Sequence, residues 1–381
     1  MDNTWVEVSK SALLNNLKGL KGLLSPGTAL MFVVKANGYG HGLSQVAGIA
    51  ETENSPVDTY GVHLPEDGIF LRRKGITKDI YVLGYANGSQ LEALIRHDLC
   101  PVVTNTELIP LLEQEASRQK KQVRITLKCE TGTHRQGILP EEVPEAASLL
   151  KKAPSVTLEG LSTHFANIED TSDHSYAQGQ IHSFKEFIRK FEAFGFILRR
   201  NHIACSAATI LLPETHYQMV RTGISSYGYW SSKETYLSFR SGDSRELRLE
   251  PVLAWKTRIG QIKDVGPDVS IGYGCTYKTN QPTRLAILPV GYYDGYDRKL
   301  SNSGYVLIHG KRAPIRGRVC MNMIIVDITH IPGCRLNDEA VLLGYSGEEV
   351  VTADEIAALA GTISYEVLSR INPLIPRRIV P

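Results

Sequence analysis

The pattern of hydrophobic and polar positions changes near residue 235. Before that point, short apolar runs rich in β-branched residues alternate with stretches of helical periodicity. Such runs are typical of parallel strands that are covered on both faces. After that point, shorter alternating runs are separated by Gly-, Asn- and Pro-containing turns, which predicts a mostly antiparallel β domain.

The first part of the chain predicts eight strands interleaved with helices. The predicted strands are Ala29–Lys35, Thr59–His63, Asp79–Leu83, Pro101–Thr104, Val123–Cys129, Thr157–His164, His202–Cys205 and Met219–Gly223. The predicted helices are Ser44–Glu53, Pro65–Lys74, Ser89–His97, Thr106–Gln119, Glu141–Lys152 and Ser175–Phe194, with a short link at Ala207–Leu212. This alternation favours a (β/α)8 barrel of the TIM type. A doubly wound open sheet is the alternative, but the first strand is followed by KANGYGHG, which lacks the spacing of a dinucleotide-binding loop.

The second part predicts a β-rich domain. Its predicted strands are Leu253–Ile262, Thr283–Val290, Tyr305–Ile308, Ala313–Arg316, Ile324–Ile328 and Ala340–Leu343, and a helix is predicted at Ala353–Ala360. The alternating segment Thr4–Val8 is expected to return to this domain as an extra strand, and the polar stretch Ser238–Arg248 is expected to be a linker. We therefore expect a barrel over residues 9–236 and a β-rich domain over residues 237–381 together with 1–8.

Composition and charge exclude several classes of protein. The 381 residues include 42 Lys and Arg against 40 Asp and Glu, a net charge of +2 that is too balanced for an electrostatic nucleic-acid binder. No apolar run approaches the roughly 20 residues of a membrane-spanning helix, and the first residues do not resemble a signal peptide. The six cysteines show neither CxxC pairs nor zinc-ligand spacing. We expect a cytoplasmic protein without a bound metal.

Reactive side chains follow the predicted strands of the barrel, where (β/α)8 enzymes carry their active sites. These side chains are Lys35, His63, Lys128, Arg135, His164, Cys205, Ser206 and Arg221. A lysine at the end of an apolar strand loses hydration, which lowers its pKa and favours a neutral amine that can form a Schiff base. The competing interpretation of Lys35 is a side chain that extends to the rim.

Two glycine-containing segments suggest a cofactor. Asn37–Gly42 follows the first strand, and the loops after the seventh and eighth strands of such barrels often bind phosphate. Ser206 and the amides near Gly223 and Ile224 suit that role. A lysine on the first strand together with a phosphate site points to pyridoxal phosphate, and Arg221 is the available partner for its ring nitrogen.

Several longer motifs resemble one family from end to end. The most specific motif is VVKANGYGHG at Val33–Gly42. The other motifs, in order, are LKCETGTHRQG at Leu127–Gly137, THFAN at Thr163–Asn167, RTGISSYG at Arg221–Gly228, IGYGCTY at Ile271–Tyr277, PVGYYDGYDR at Pro289–Arg298, GRVCMN at Gly317–Asn322 and TISYEVL at Thr362–Leu368. In these motifs the chain resembles the alanine racemases, pyridoxal-phosphate enzymes built from a barrel and a β domain.

The resemblance implies a homodimeric isomerase that interconverts L-alanine and D-alanine and provides D-alanine for peptidoglycan. Lys35 would hold the cofactor as a Schiff base and act as one catalytic base, and Tyr273 from the partner subunit would be the opposite base. Arg221 would hydrogen-bond the pyridine nitrogen, with His164 behind it.

The family also implies the remaining contacts. The residues expected to hold the phosphate are Tyr39, Ser206, Gly223, Ile224 and Tyr365. Arg135 and the amide of Met321 would bind the substrate carboxylate, and Lys128, if carbamylated, would orient Arg135. Asp294 is expected to have a structural role.

The sequence departs from the family pattern at three places. Cys205 stands where asparagine is usual, Asn322 stands where aspartate is frequent, and Cys129 with Glu130 replaces a more usual Val-Asp pair. Because every central residue is present, we expect an active enzyme.

Four functions are compatible with these motifs. The alternatives to alanine racemisation are a serine or broader-specificity racemase, a non-catalytic pyridoxal-phosphate-binding barrel protein, and a decarboxylase of the same fold. Tyr365 is expected to restrict the space for the substrate side chain, which favours alanine. Tyr273 argues against a mere carrier, because a carrier needs no opposing base, and the GYGCTY and CMN motifs do not suit a decarboxylase.

Overall fold

The computed structural model describes residues 2–242 and 246–381, which form two compact units. The barrel unit comprises Leu13–Lys35 and Ala47–Glu250, and the β-rich unit comprises Met1–Ala12, Ala36–Val46 and Pro251–Pro381. Residues 243–245 of the predicted linker lie outside the described residues.

The barrel unit contains a curled sheet of parallel strands. After β1 (Thr4–Ser9), which belongs to the β-rich unit, these strands are β2 (Ala29–Val33), β3 (Thr59–Val62), β4 (Asp79–Val82), β5 (Cys100–Val103), β6 (Val123–Lys128), β7 (Val156–Ser162) and β8 (Met219–Thr222). Their order across the sheet is β7-β6-β5-β4-β3-β2-β8. Most of their residues are buried, as expected for strands covered on both faces.

The seventh predicted strand, His202–Cys205, closes this sheet as a short extended segment. The N–H of His202 donates to the carbonyl of Leu161 at 3.0 Å, and the N–H of Arg221 donates to the carbonyl of Ala204 at 3.0 Å. The segment therefore pairs with β7 on one side and β8 on the other. The segment has few paired residues because Cys205 is already the N-cap residue of the next helix. The predicted (β/α)8 barrel is confirmed.

Helices alternate with these strands along the chain, and two further helices belong to the β-rich unit. The helices are α1 (Lys10–Gly22), α2 (Lys35–Tyr39), α3 (Leu43–Ala50), α4 (Pro65–Arg73), α5 (Leu91–Arg96), α6 (Leu108–Gln119), α7 (Val143–Lys151), α8 (Ser175–Ala193), α9 (Ser206–Leu211), α10 (Lys233–Gly242), α11 (Ala353–Ala360) and α12 (Ser364–Ser369). Single 3-10 turns are at Gly88–Gln90, Pro213–Thr215, Ile224–Tyr227, Tyr273–Cys275, Tyr292–Asp294 and Arg298–Leu300.

The sequence pattern missed four of the described helices, namely α1, α2, α10 and α12; Lys35, where α2 begins, was expected to end the first strand. Helices α1 and α12 were not predicted, and the expected linker Ser238–Arg248 was wrong at its start, because its first residues belong to α10. Phe239 explains this correction: it is buried in a cluster with Leu20, Ile210 and Leu247. Burial of this one aromatic side chain offsets the polar composition of the surrounding sequence.

The β-rich unit confirms the prediction of a mostly β domain. Its further strands are β9 (Leu253–Arg258), β10 (Gln261–Val265), β11 (Ser270–Ile271), β12 (Tyr277–Lys278), β13 (Thr283–Leu288), β14 (Tyr305–Ile308), β15 (Lys311–Pro314), β16 (Ile324–Asp327), β17 (Glu339–Ser346), β18 (Glu349–Val351) and β19 (Arg377–Val380). The largest sheet has the order β15-β14-β17-β9-β1-β19, with β18 paired to β17. The order β10-β13-β16 makes a second sheet, and β11 pairs with β12.

The N-terminal strand returns to this unit as predicted. Strand β1 pairs antiparallel with β9 and parallel with β19. In contrast, the single predicted strand Leu253–Ile262 was wrong. The chain breaks at Ile259 and Gly260 into β9 and β10, which belong to different sheets.

Candidate active site

A left-handed turn follows the first strand of the barrel. Helix α2 begins at Lys35, but Ala36, Asn37 and Gly38 have φ values of 53°, 55° and 61°, and Tyr39 has 50°. Left-handed backbone costs about 1–2 kcal/mol for each residue other than glycine. The three non-glycine residues of this turn, Ala36, Asn37 and Tyr39, store strain close to Lys35, and strain of this kind is concentrated at functional sites.

Five basic side chains of the barrel unit influence one another electrostatically. Lys35 is accessible to solvent, yet the protein packed around its amine, followed by the charges of Arg135 and Arg221, lowers its pKa. Burial lowers the pKa of Lys128 well below its usual range, and Arg221 and Arg135 lower it further. His164 is affected in the same way by burial and by these neighbours. A concentration of like charge is unfavourable, and it is relieved by loss of protons, which the lowered pKa values favour, or by a bound anion.

Arg221 is held in a nest of acceptors. Its guanidinium donates to the carbonyls of Thr163 at 2.7 Å, His202 at 2.9 Å and Ile203 at 3.0 Å. It also lies 2.5 Å from Nδ1 of His202 and 3.2 Å from Nδ1 of His164. Burial lowers the pKa of Arg221 to about 10, so the guanidinium stays protonated near neutrality.

His202 is a functional candidate that the sequence reasoning missed. Its Nδ1 accepts from a guanidinium that cannot act as an acceptor, so the ring carries its proton on Nε2. Burial, and then the charge of Arg221, lowers the pKa of His202 well below its usual range. The signal was present in the sequence, since a histidine opens the seventh predicted strand, but its partner could only be identified in the fold.

The predicted phosphate-binding residues of the barrel unit lie together. Oγ of Ser206 accepts the N–H of Gly223 at 3.0 Å and that of Ser225 at 3.5 Å. Ile224 lies between these two residues in the chain and begins a 3-10 turn. Ser206 itself begins α9, directly after the half-buried Cys205. A hydroxyl surrounded by main-chain donors is suited to an anion.

The loop that carries Arg135 is built around a carboxylate. Glu130 accepts the N–H of Gly132 at 2.5 Å and that of Arg135 at 3.1 Å. Although burial raises the pKa of Glu130, main-chain donors of Gly132 and its neighbours produce a net lowering. The departure at this position therefore retains an acid that can organise the loop.

Helix α8 fixes the same loop from the other side. Gln180 is buried, donates to Oγ1 of Thr131 at 3.2 Å and to the carbonyl of His164 at 3.0 Å, and accepts the N–H of Ala166 at 2.9 Å. One amide side chain thus links the Arg135 loop to the end of β7. Glu130 and Gln180 were missed as positioning residues, since their partners are distant in sequence or depend on the loop conformation.

The β-rich unit contains the remaining predicted residues. The rings of Tyr39 and Tyr365 lie 6.3 Å apart between centroids. Tyr273 begins a 3-10 turn, and 74% of its surface is exposed. Met321 is also exposed, and its carbonyl accepts the N–H of Tyr293 at 2.9 Å.

The loop from Gly291 to Asp294 supports Met321. A Cβ on Gly291 would lie 2.2 Å from the carbonyl oxygen of Cys320, so only glycine permits this close approach. The N–H of Gly291 donates to the carboxylate of Asp294 at 2.8 Å, which agrees with the structural role expected for that acid. Asn322, the second departure, is exposed beside Met321.

The residues of the barrel unit fit pyridoxal phosphate. The charges of Arg135 and Arg221 act on Lys35, and the hydroxyl of Ser206 lies with the main-chain amides of Gly223 and Ser225. This donor set matches an anionic phosphate and an acceptor ring nitrogen. Within residues 2–242 and 246–381, no group of three His, Cys, Asp or Glu side chains could hold a metal ion. Across the same residues, no helix is long and apolar enough to span a membrane.

Comparison with known proteins identifies the family. The model of the alanine racemase N-terminal domain matches residues 8–231, and that of the alanine racemase C-terminal domain matches residues 252–379. The chain is 37% identical over 380 residues to the alanine racemase of Leptospira interrogans, covering 99% of this chain and 96% of that protein. It is 40% identical over 377 residues to that of Symbiobacterium thermophilum, covering 99% and 97% of the two chains.

Solved structures agree with these sequence relatives. The alanine racemase of Clostridium difficile 630 superposes with a TM-score of 0.92 at 34% identity, covering 100% of this chain and 96% of that chain. The alanine racemase of Bacillus anthracis, solved with bound L-Ala-P, superposes with a TM-score of 0.92 at 31% identity and the same coverage. The chain therefore belongs to the alanine racemase family, whose members depend on pyridoxal phosphate.

Proposed function

We propose that this protein interconverts L-alanine and D-alanine with pyridoxal phosphate as its cofactor. The observation that carries the proposal is the cluster of Lys35, Arg135, His164 and Arg221 at the rim of the barrel, where burial, and then the charges of Arg135 and Arg221, lower the pKa of Lys35. The relatives named alanine racemase support alanine as the substrate.

Two bases are required by the stereochemistry. Pyridoxal phosphate, when bound, withdraws electrons from Cα of alanine and makes the Cα proton acidic. A single base cannot readily reach both faces of Cα, so one base removes the proton and a second returns one from the opposite side. We assign Lys35 to one face, since its lowered pKa increases the fraction of neutral amine. Tyr273 of the partner subunit is assigned to the other face.

The remaining side chains bind and orient the cofactor and the substrate. Arg221 keeps its own proton and donates to the pyridine nitrogen, while His164 and His202 fix its position. Arg135 and the amide of Met321 bind the substrate carboxylate, and Lys128 supports Arg135, either as a neutral amine or as a carbamate.

The phosphate contacts follow the same assignment. The phosphate group is assigned to Tyr39, Ser206, Gly223, Ile224 and Tyr365. Among these, the hydroxyl of Ser206 and the amides around Gly223 already form a hydrogen-bonded group.

We further propose a homodimer with shared active sites that supplies D-alanine for peptidoglycan in the cytoplasm. The high exposure of Tyr273 and Met321 in the single chain supports their use by a partner subunit. The six free cysteines suit a reducing compartment. The barrel over residues 9–236 would bind the cofactor, and residues 237–381 with 1–8 would supply Tyr273.

Subunit complementation tests this assignment. Lys35→Ala and Tyr273→Phe proteins, each inactive alone, are mixed under conditions that exchange subunits, and D-alanine formation from L-alanine is followed with D-amino-acid oxidase. Random exchange makes half of the dimers hybrids with one intact site, so about a quarter of wild-type activity should return. No recovery despite verified subunit exchange would contradict shared sites. Faster turnover of L-serine than of L-alanine by wild type would favour the serine racemase.

A further inference from the structure

One arginine of the last strand is bonded entirely to main-chain carbonyls. Nε and Nη2 of Arg377 donate to the carbonyl of Gly40 at 3.1 and 2.9 Å. Nη1 donates to the carbonyls of Asn372 at 2.6 Å and Ile375 at 2.5 Å, and Nη2 donates to that of Ile371 at 3.1 Å. The guanidinium is thus bonded to three carbonyls of the C-terminal segment, and it also donates two hydrogen bonds to the carbonyl of Gly40.

The electrostatics of Arg377 differ from those of an ordinary surface arginine. The five hydrogen bonds described for its side chain all end on carbonyl dipoles, and burial lowers its pKa to about 10. Placing a guanidinium in such surroundings requires several well-oriented acceptors. A planar group with a fixed fork of donors meets this geometry, and a lysine does not.

The carbonyl of Gly40 belongs to the left-handed turn that follows Lys35. Inside the turn, the N–H of Gly40 donates to the main-chain carbonyl of Ala36 at 3.0 Å, and the N–H of Gly42 donates to that of Asn37 at 2.8 Å. The side chain of Asn37 also accepts the N–H of Leu43 at 2.9 Å. These local bonds define the turn, but the fork of Arg377 anchors it to the C-terminal segment.

The same turn is also packed tightly against α12. Gly40 has a φ of 83°, and a Cβ there would lie 2.0 Å from the carbonyl oxygen of Leu368. The turn therefore has one register that fits between α12 and Arg377. A strained turn persists only where its surroundings determine it, and Arg377 contributes two hydrogen bonds to the carbonyl of Gly40 from those surroundings.

We propose that Arg377 is a positioning residue that holds the left-handed turn Ala36–Gly40 in register, so that Lys35, directly before the turn, and Tyr39, within it, are placed for the cofactor. The effect on the cofactor rests on the proposed function. The effect on the turn does not, because the two hydrogen bonds from Arg377 to the carbonyl of Gly40, which form the Arg377 clamp, lie within the chain itself.

The test compares two adjacent arginines. Arg377→Met and Arg377→Lys remove or weaken the fork, and Arg378→Met is the matched control, because Arg378 lies on the same strand but pairs with Asp2 at the surface at 2.6 Å. Hydrogen–deuterium exchange of residues 37–43 is measured without cofactor, and the dissociation constant of pyridoxal phosphate is measured by its absorbance.

The clamp predicts a local response. Arg377→Met should accelerate exchange in this segment and raise the dissociation constant of pyridoxal phosphate, each by about tenfold, whereas Arg378→Met should change neither by more than about twofold. Arg377→Lys should lie between them, and it carries the test if Arg377→Met does not fold. Both Arg377 variants should retain the exchange pattern of the barrel unit.

Two results would overturn the proposal. One is a segment 37–43 that exchanges no faster in the Arg377 variants than in Arg378→Met. The other is acceleration spread evenly over the β-rich unit, which would mean a general loss of stability. If wild type binds no pyridoxal phosphate, the proposed function fails. The exchange data alone then decide whether Arg377 holds the turn.

Discussion

Nη1 of Arg221 lies 2.5 Å from Nδ1 of His202, and the two side chains are buried together on neighbouring extended segments of the barrel. Because the guanidinium supplies only donors, the imidazole must be the neutral acceptor. This pair gives Arg221 a fixed orientation before any ligand binds.

Replacing His202 should destabilise the protein to an extent that depends on whether the new side chain still offers an acceptor to Arg221. His202→Leu leaves the buried guanidinium without one acceptor and should cost about 2–4 kcal/mol in free energy of unfolding. His202→Asn retains an oxygen near the position of Nδ1 and should cost about half as much or less. Urea unfolding without cofactor measures both, and equal losses would show that the acceptor is unimportant.

Buried neutral histidines predict a stability that depends on pH. The pKa of His41 is lowered to about 4 by burial, and those of His164 and His202 are lowered well below 6.5. As pH falls below about 6.5, these histidines take up protons in the unfolded chain before they do so in the folded protein. Their contribution to the free energy of unfolding is therefore complete above that pH and is lost below it. Three such groups should lower the free energy of unfolding by about 3 kcal/mol between pH 6.5 and 5.5.

A single substitution isolates one of these three contributions. His202→Asn should reduce the loss between pH 6.5 and 5.5 by about 1 kcal/mol, since one titrating group is gone. Urea unfolding at the two pH values measures the difference. An unchanged loss in this variant would mean that His202 does not titrate between the folded and unfolded states.

Glu130 should affect substrate binding more than turnover. In Glu130→Gln the main-chain donors of Gly132 and Arg135 lose the charge of their acceptor, so Arg135 is held less firmly. We expect KM for alanine to rise about tenfold with a smaller change in kcat. Glu142→Gln is the control, because Glu142 accepts one main-chain N–H, that of Leu139 at 2.6 Å, in an exposed loop. A fall in kcat with unchanged KM would refute this role.

Gln180 should be more important than its neighbour on the same helix. Gln180→Leu leaves the N–H of Ala166 and the carbonyl of His164 each without one bond and should cost about 2–3 kcal/mol. Gln178→Leu, at an exposed position on α8, should stay within about 0.5 kcal/mol. Thermal unfolding of the two variants gives the comparison, and similar losses would contradict a linking role.

Local patterns predicted most of the fold. The apolar runs before Lys35, Lys128 and Arg221 specify buried parallel strands, and their polar ends identify the rim of the barrel that carries the basic cluster. The return of β1 to the β-rich unit also followed from alternation.

The remaining features depend on contacts that no local pattern contains. Helix α10 forms within a polar stretch because Phe239 is buried against residues distant in sequence. The importance of His202, Gln180 and Arg377 lies in hydrogen-bonding partners provided by other segments. A polar residue in a sequence shows that hydrogen-bonding groups are present, but only the fold shows which atoms they meet.

Deuterium exchange at Cα tests the central claim most directly. Tyr273→Phe with pyridoxal phosphate is incubated in D2O with L-alanine and, separately, with D-alanine, and both deuterium content and configuration are measured. Lys35 should exchange the Cα proton of only one enantiomer, with retention, while inversion falls by at least about a hundredfold. Lys35→Ala should not reproduce this exchange. Continued inversion by Tyr273→Phe at the wild-type rate, or equal deuterium uptake by both enantiomers, would contradict two bases on opposite faces.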